Sequence, residues 1–345
     1  RPVAEGCTPM TFPEIDLVFT YVDGADPRHA AKLARTRQAL AKPADASTFP
    51  DVRPVWYRPV SEITYGVRSA LRFLPWLRTI HIVTDQQIPP VDPELLASGR
   101  VRVVDHADII PERYRPVFDA TIIESFLHRI EGLSEVFLYS NDDMLFWRSA
   151  ERADFVRYRE DGTAQLRLMT QPGILRAAIA LASSLTPPFL PRANTFTAGI
   201  ANACRLLREG MGLGWLQMFY PRHFTHVYRV ATARRIEEEL GERLEETRMM
   251  HLRSYRQISW IALAYSLEAL WFDAEHRASP AEERLFLDFD RYGSDRAKAR
   301  AWRKLAQSDA RFICLNNIPD DQAEPLAQIM AARGLGNPAA ASGLD

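Results

Sequence analysis

A chain of 345 residues that is 47% apolar and 25% charged has the ordinary balance of a soluble globular protein, with material for one large domain or two. Its 43 Lys and Arg against 44 Asp and Glu leave a formal net charge of −1, so nothing marks the whole chain as a nucleic-acid binder, although local Arg clusters can hold phosphates. Cys7, Cys204 and Cys314 are too few and too scattered for a disulfide framework or a zinc site, which favours a reducing, cytoplasmic setting. No signal-peptide pattern opens the sequence, and no apolar run approaches the roughly 20 residues of a membrane span. The longest candidate, residues 174–185, carries Arg176, and peripheral association with the inner face of a membrane stays open.

Residues 1–13 read as an irregular tail. The apolar, β-branched run 15–22 predicts a first strand, and it stops at Asp23-Gly24-Ala25-Asp26-Pro27. Asp23 and Asp26 either hold a ribose or base or cap the helix expected over 29–41. After a Pro-rich loop over 42–54, a helix is expected from Glu62 to residue 74, with Ser61 as N-cap and Arg68 either a phosphate ligand or, the favoured reading, solvated or structural. Residues 79–84 and 101–105 predict two more strands. The first ends at Asp85 and the second at Asp105-His106, where a site role and a capping role are equally open.

Residues 122–130 have apolar side chains at helical spacing, placing Glu124 and His128 four apart on one face, where they can touch. A fourth strand, 136–139, runs into Asn141-Asp142-Asp143. Adjacent carboxylates there repel unless a cation or a proton intervenes. Strands separated by helices or loops predict an α/β fold with a mainly parallel, Rossmann- or GT-A-like sheet. If they are parallel, their acidic exits gather at the carboxyl edge, where open α/β sheets place ligands.

Residues 154–169 predict a hairpin turning at Glu160-Asp161-Gly162. Helices follow over 173–185 and 194–208, separated by a Pro-rich break. Residues 220–229 are dense in His and Arg, but the spacing of His223 and His226 is a weak metal signal and the run reads as a solvated loop. Residues 231–247 predict a charged, solvated helix, and 259–272 an apolar core helix with Trp260 and Trp271. A late strand over 311–317 carries Cys314 in the core. The domain reading is a core over 14–170, a helical insertion over 171–300 carrying His226 and Arg253, a return to the core sheet over 301–333, and a mobile tail from 334.

Residues 16–27 resemble the first block of the Stealth family of sugar-phosphate transferases, and residues 123–134 running into Asn141-Asp142-Asp143 resemble its second. His226 and Arg253 match a His and an Arg of the third block, Arg192 matches a further Arg, and residues 311–317 resemble the fourth. The chain departs from the pattern at Pro59-Val60, where the family has an Arg-Asp-Asn-type stretch. It departs also at Tyr228, where the family has Pro, and at Asn317, where the family has Asp.

The resemblance implies transfer of a hexose-1-phosphate from a UDP-sugar to a sugar hydroxyl of a glycan acceptor, releasing UMP, in capsule or exopolysaccharide synthesis. It implies Mg²⁺ or Mn²⁺ as cofactor, held by Asp142 and Asn317, since amide and carboxylate oxygens suit a hard cation. Asp23, Asn141, Asp142 and Arg192 are the implied donor contacts. Asp143 and His226 are the implied base and acid–base partner, Glu124 orients the acceptor or takes the proton role, and Arg253 forks onto phosphate. Two other readings are open: a glycosyltransferase that releases UDP, and a non-catalytic binder of nucleotide sugars.

Overall fold

The computed structural model describes residues 13–40, 62–170, 195–214, 217–219, 221–278 and 280–336. The strands are β1 (Ile15–Thr20), β2 (Ile80–Thr84), β3 (Val101–Asp105), β4 (Val136–Asn141), β5 (Met144–Phe146), β6 (Val156–Tyr158), β7 (Ala164–Thr170), β8 (His226–Arg229), β9 (Glu275–Ala278), β10 (Arg284–Asp288) and β11 (Phe312–Asn316). The helices that back or line the cleft described below, or close the second core, are α1 (Pro27–Leu40), α2 (Glu62–Phe73), α3 (Ala120–Glu124), α4 (Thr195–Met211), α5 (Val230–Arg248), α6 (Trp260–Phe272), α7 (Asp295–Ala306) and α8 (Ala323–Ala332).

The main sheet has the order β3-β2-β1-β4-β8. Strands β1 to β4 are mutually parallel. β1 is buried along its whole length, as a central parallel strand covered on both faces must be. α2 lies against it with Gly66 facing the Phe19 ring, where a Cβ would make an ordinary van der Waals contact at 3.4 Å. At the amino end, buried Asp16 ties three strands together. It accepts from Arg78 Nε at 2.8 Å, Thr79 N at 3.1 Å and Ser134 N at 2.8 Å. The register sets Thr20 beside Asn141 and Thr84 beside Asp105, so the acidic exits of β1 to β4 do lie along one edge.

Several expectations need correction. The helix expected over 122–130 ends at Glu124, and the Ser125 hydroxyl bonds back onto the Ile122 carbonyl at 2.8 Å. A separate 3₁₀ turn, Leu127–Arg129, follows. His128 therefore bonds Glu237 of α5 at 2.9 Å instead of Glu124, and α5 is not solvated on that face. The His- and Arg-rich stretch is a loop over 222–225 only: residues 226–229 are β8, buried and antiparallel to β4. Arg229 is tolerated inside because Glu268 of α6 pairs with it at 3.0 Å.

The insertion expected to be helical thus gives the main sheet its fifth strand and also contains β9 and β10. Because β8 occupies the free edge of β4, β11 does not rejoin that sheet. It pairs instead with β10 and β5 in a second three-stranded sheet, backed by α7 and α8 around Trp147, Leu287, Trp302 and Ile313. Asp143 sits at the junction, since its carbonyl accepts from Leu315 N at 2.9 Å. The expected hairpin is β6–β7, with Gly162 at φ +80°. At the start of the expected tail, Leu335 is buried and Arg72 Nη1 donates to Gly334 O at 3.1 Å. Arg68 pairs with Asp92 at 2.7 Å. Pro59, Val60, Ser61, Arg192 and the helix expected over 173–185 lie outside the described residues.

Candidate active site

A cleft of about 500 Å³ opens along the carboxyl edge of the main sheet and is closed on its far side by the second sheet. Glu124, Asn141, Asp142, Asp143, His226, Arg253 and Asn317 all line it. Tyr21 and Val22, not Asp23, supply the wall at the end of β1. Asp23 folds into its own turn, where Oδ1 accepts from Ala25 N at 2.8 Å, and Gln87 clamps its backbone by two hydrogen bonds of 2.8 and 2.7 Å. Asp26 caps α1, accepting from Arg28 N, and Asp105 caps the turn that begins at His106. Burial lowers His106 to about 4, and its ring reaches the cleft wall.

The β4 exit carries the acids. Burial and the charge of Asp143 push Asp142 up to about 7. Burial also raises Asp143, offset in part by His223 and by the Cys314 thiol, whose Sγ donates to Asp143 Oδ2 at 3.2 Å. Glu62, at the start of α2, is raised well above the carboxylate range by burial and then by Asp142 and Asp143. Three neighbouring carboxyls that cannot all shed protons are the electrostatic condition a divalent cation relieves.

The oxygens suit one. Asn317 Oδ1 is buried without a hydrogen-bond partner and shares the cleft with the Asp142 carboxyl, while Asp143 Oδ1, also unpartnered, is left to take a proton. Asn317, in the left-handed region at φ +58°, points its amide nitrogen at Asp288 Oδ1 at 2.9 Å, which turns its oxygen the other way. Carboxylate and amide oxygens of this kind fit Mg²⁺ or Mn²⁺.

Glu124 is the last residue of α3, whose N-cap is Asp119. It is 4% exposed, and burial pushes it up to about 8. The Tyr139 hydroxyl beside it and the charge of Arg253 pull the other way. Tyr139 also donates to Asn141 Oδ1 at 2.7 Å and shares a 3.1 Å hydrogen bond with Thr20, so Asn141 is held inside a hydroxyl network. His226 enters from β8. Its Nδ1 pairs with the Tyr265 hydroxyl at 2.9 Å, and its Nε2 is buried without a hydrogen-bond partner. Burial lowers it to about 3, so the imidazole is neutral at physiological pH. Arg253 comes from the loop after α5, and its charge acts on Asp119, Glu124 and Asp143. His251 fixes that loop by bonding the Pro116 carbonyl at 2.8 Å.

Sequence reasoning missed Glu62, Asp119, His223 and Cys314. A Glu in a first helical turn and an Asp at an N-cap look the same with or without a cleft in front of them. Cys314, read from the sequence as a core residue, is buried as expected but is not isolated. Cys314 contributes to a mixed cluster with Asp143 and His223, whose ligand atoms lie within 4.8 Å of one another.

Fold and cleft define an α/β protein of the class that places its ligand at the carboxyl edge of a mostly parallel sheet. Residues 56–164 match the family model Stealth protein CR2, conserved region 2. An exopolysaccharide phosphotransferase of Streptomyces coelicolor is 31% identical over 331 residues, covering 94% of this chain and 51% of that protein. A second from the same organism is 33% identical over 258 residues, covering 73% and 25%. The receptor polysaccharide phosphotransferase WefC of Streptococcus oralis is 38% identical over 160 residues, covering 46% of each. The chain thus spans about half the length, or less, of these curated relatives. Among solved structures, the galactosyltransferase LgtC aligns over 93% of this chain and 95% of its own at 10% identity, with a TM-score of 0.41, too loose a likeness to carry any argument. No described helix is long and apolar enough to cross a membrane.

Proposed function

We propose that the cleft moves a hexose-1-phosphate from a UDP-sugar to a hydroxyl of a glycan acceptor, in capsule or exopolysaccharide synthesis. The observation that carries the reading is the meeting of Glu124, Asp143, His226 and Arg253, from four separate elements, in one cleft of a chain that resembles polysaccharide phosphotransferases.

The acceptor oxygen attacks the β-phosphorus, the bond from that phosphorus to the bridging oxygen breaks, and UMP leaves. Asp143 takes the acceptor proton, and its upward shift makes it a stronger base than a solvated carboxylate. His226 is neutral and can carry that proton onward through Nε2. Glu124, protonated at neutral pH, donates a hydrogen bond that orients the acceptor. Arg253 forks onto the phosphate oxygens. Asp142 and Asn317 would hold Mg²⁺ or Mn²⁺, which supplies charge neutralisation to the diphosphate when bound.

The test is to supply a panel of UDP-hexoses, Mg²⁺ and an oligosaccharide acceptor and to identify the nucleotide released. UMP is expected, and Asp143→Asn should lower kcat about 10²- to 10⁴-fold with the fold intact by circular dichroism. UDP as the sole nucleotide product would contradict the reading and make the protein a glycosyltransferase.

A further inference from the structure

Cys314, Asp143 and His223 form a group that the transfer reaction does not use as a whole. Cys314 is fully buried on β11, with Sγ 3.2 Å from Asp143 Oδ2. His223 stands opposite, with Nε2 4.0 Å from the same oxygen and its ring set edge-on between Phe196 and Phe286. Among the described residues no other set of three or more such ligand-bearing side chains lies within 4.8 Å of one another. A tetrahedral ion with bonds of about 2.0 to 2.3 Å needs its ligand atoms about 3.3 to 3.5 Å apart. The sulfur–oxygen separation of 3.2 Å is slightly under this, and the nitrogen–oxygen separation of 4.0 Å is over it by about 0.5 to 0.7 Å. The histidine side chain is 33% exposed, which leaves it room to turn towards the oxygen.

We infer that Asp143, His223 and Cys314 form a site for a thiophilic divalent cation, Zn²⁺ in the first instance, distinct in ligand chemistry from the hard-cation site, and that its occupation shuts the enzyme off. A thiolate and an imidazole select borderline metals, whereas Mg²⁺ takes oxygen ligands and has no use for sulfur. Binding breaks the S–H bond, releases that proton to solvent and leaves a Cys–S–metal bond, so affinity rises with pH. Asp143 and His223 line the cleft, and water from it completes the tetrahedron. Asp143 then spends Oδ2 on the metal and no longer takes the acceptor proton. The blocking step rests on the reading of Asp143 as base; the site itself does not.

The two parts are tested separately, on the full chain. Co²⁺ is titrated without substrate and followed by absorbance. One equivalent should give a thiolate-to-cobalt band in the near ultraviolet together with intense visible bands of a tetrahedral ion, and Zn²⁺ should abolish both. Cys314→Ser should remove the thiolate band, and His223→Ala should weaken Co²⁺ binding about tenfold or more, each with native circular dichroism. Absence of the band in the native chain, or the same band in Cys314→Ser, overturns the site, whatever reaction the protein performs. In the nucleotide-release assay at fixed Mg²⁺, Zn²⁺ should inhibit, and the half-inhibiting concentration should rise about tenfold or more in Cys314→Ser. Zinc that binds and leaves the rate unchanged overturns the blocking role.

Discussion

A carboxyl sealed from water keeps its proton, and Glu124 is the case in this cleft. Its ordinary value of 4.5 is pushed up to about 8 because burial removes the hydration that would stabilise the anion, and Oε2 finds no hydrogen bond in exchange. In the unfolded chain the same group titrates near its ordinary value, so the folded state binds more protons through the interval between them. The stability that protonated Glu124 contributes is fully present below pH of about 4.5 and is lost as pH rises through about 8, at up to about 1.4 kcal/mol per unit. Glu124→Gln should therefore flatten the fall of Tm between those limits and leave the variant more stable than the native chain at pH of about 9. A variant whose Tm follows the native curve across that range would show that Glu124 titrates like a solvated carboxyl. Asp142, raised to about 7, adds a slope of the same sign that the variant keeps.

At the scale of elements, the site depends on β8, because that strand carries His226 against β4. Its anchor is an ion pair inside the protein: Arg229 Nε lies 3.0 Å from Glu268 Oε1, the Thr232 hydroxyl also bonds Glu268, and Arg229 and Glu268 are 8% and 2% exposed. Glu268→Ala leaves a guanidinium buried without its anion and should destabilise the fold by about 3 to 5 kcal/mol in urea unfolding. Replacing both partners by apolar residues of similar volume should recover most of the loss, and failure to recover would assign the effect to packing instead.

The same pair explains what was legible beforehand. Strands β1 to β4 announce themselves, since each is a β-branched or apolar run cut off by acid, and their shared edge follows from parallel pairing. β8 does not, because whether His226 and Arg229 are solvated or buried is decided by a carboxylate 39 residues away. The end of α3 at Glu124 is equally silent in a window whose apolar spacing continues. Asp142 and Asp143 stand out as a pair, whereas His223 and Cys314 become partners only when β5 turns back to meet β11.

On the scale of the whole molecule, two sheets meet at Asp143. The main sheet delivers Asn141, Asp142 and His226 along its carboxyl edge, and the second brings Asp288 and Asn317 from the far side, so the cleft exists only when both are assembled. The central claim is that phosphorus, not the sugar's anomeric carbon, is attacked in this cleft. The direct measurement is to follow a UDP-hexose labelled at its β-phosphate in the presence of Mg²⁺ and an acceptor glycan. The account predicts that the label enters the glycan as a phosphodiester, in step with UMP, and that Asp143→Asn abolishes its entry. Label that stays wholly with the nucleotide, as UDP, while hexose reaches the glycan would contradict it.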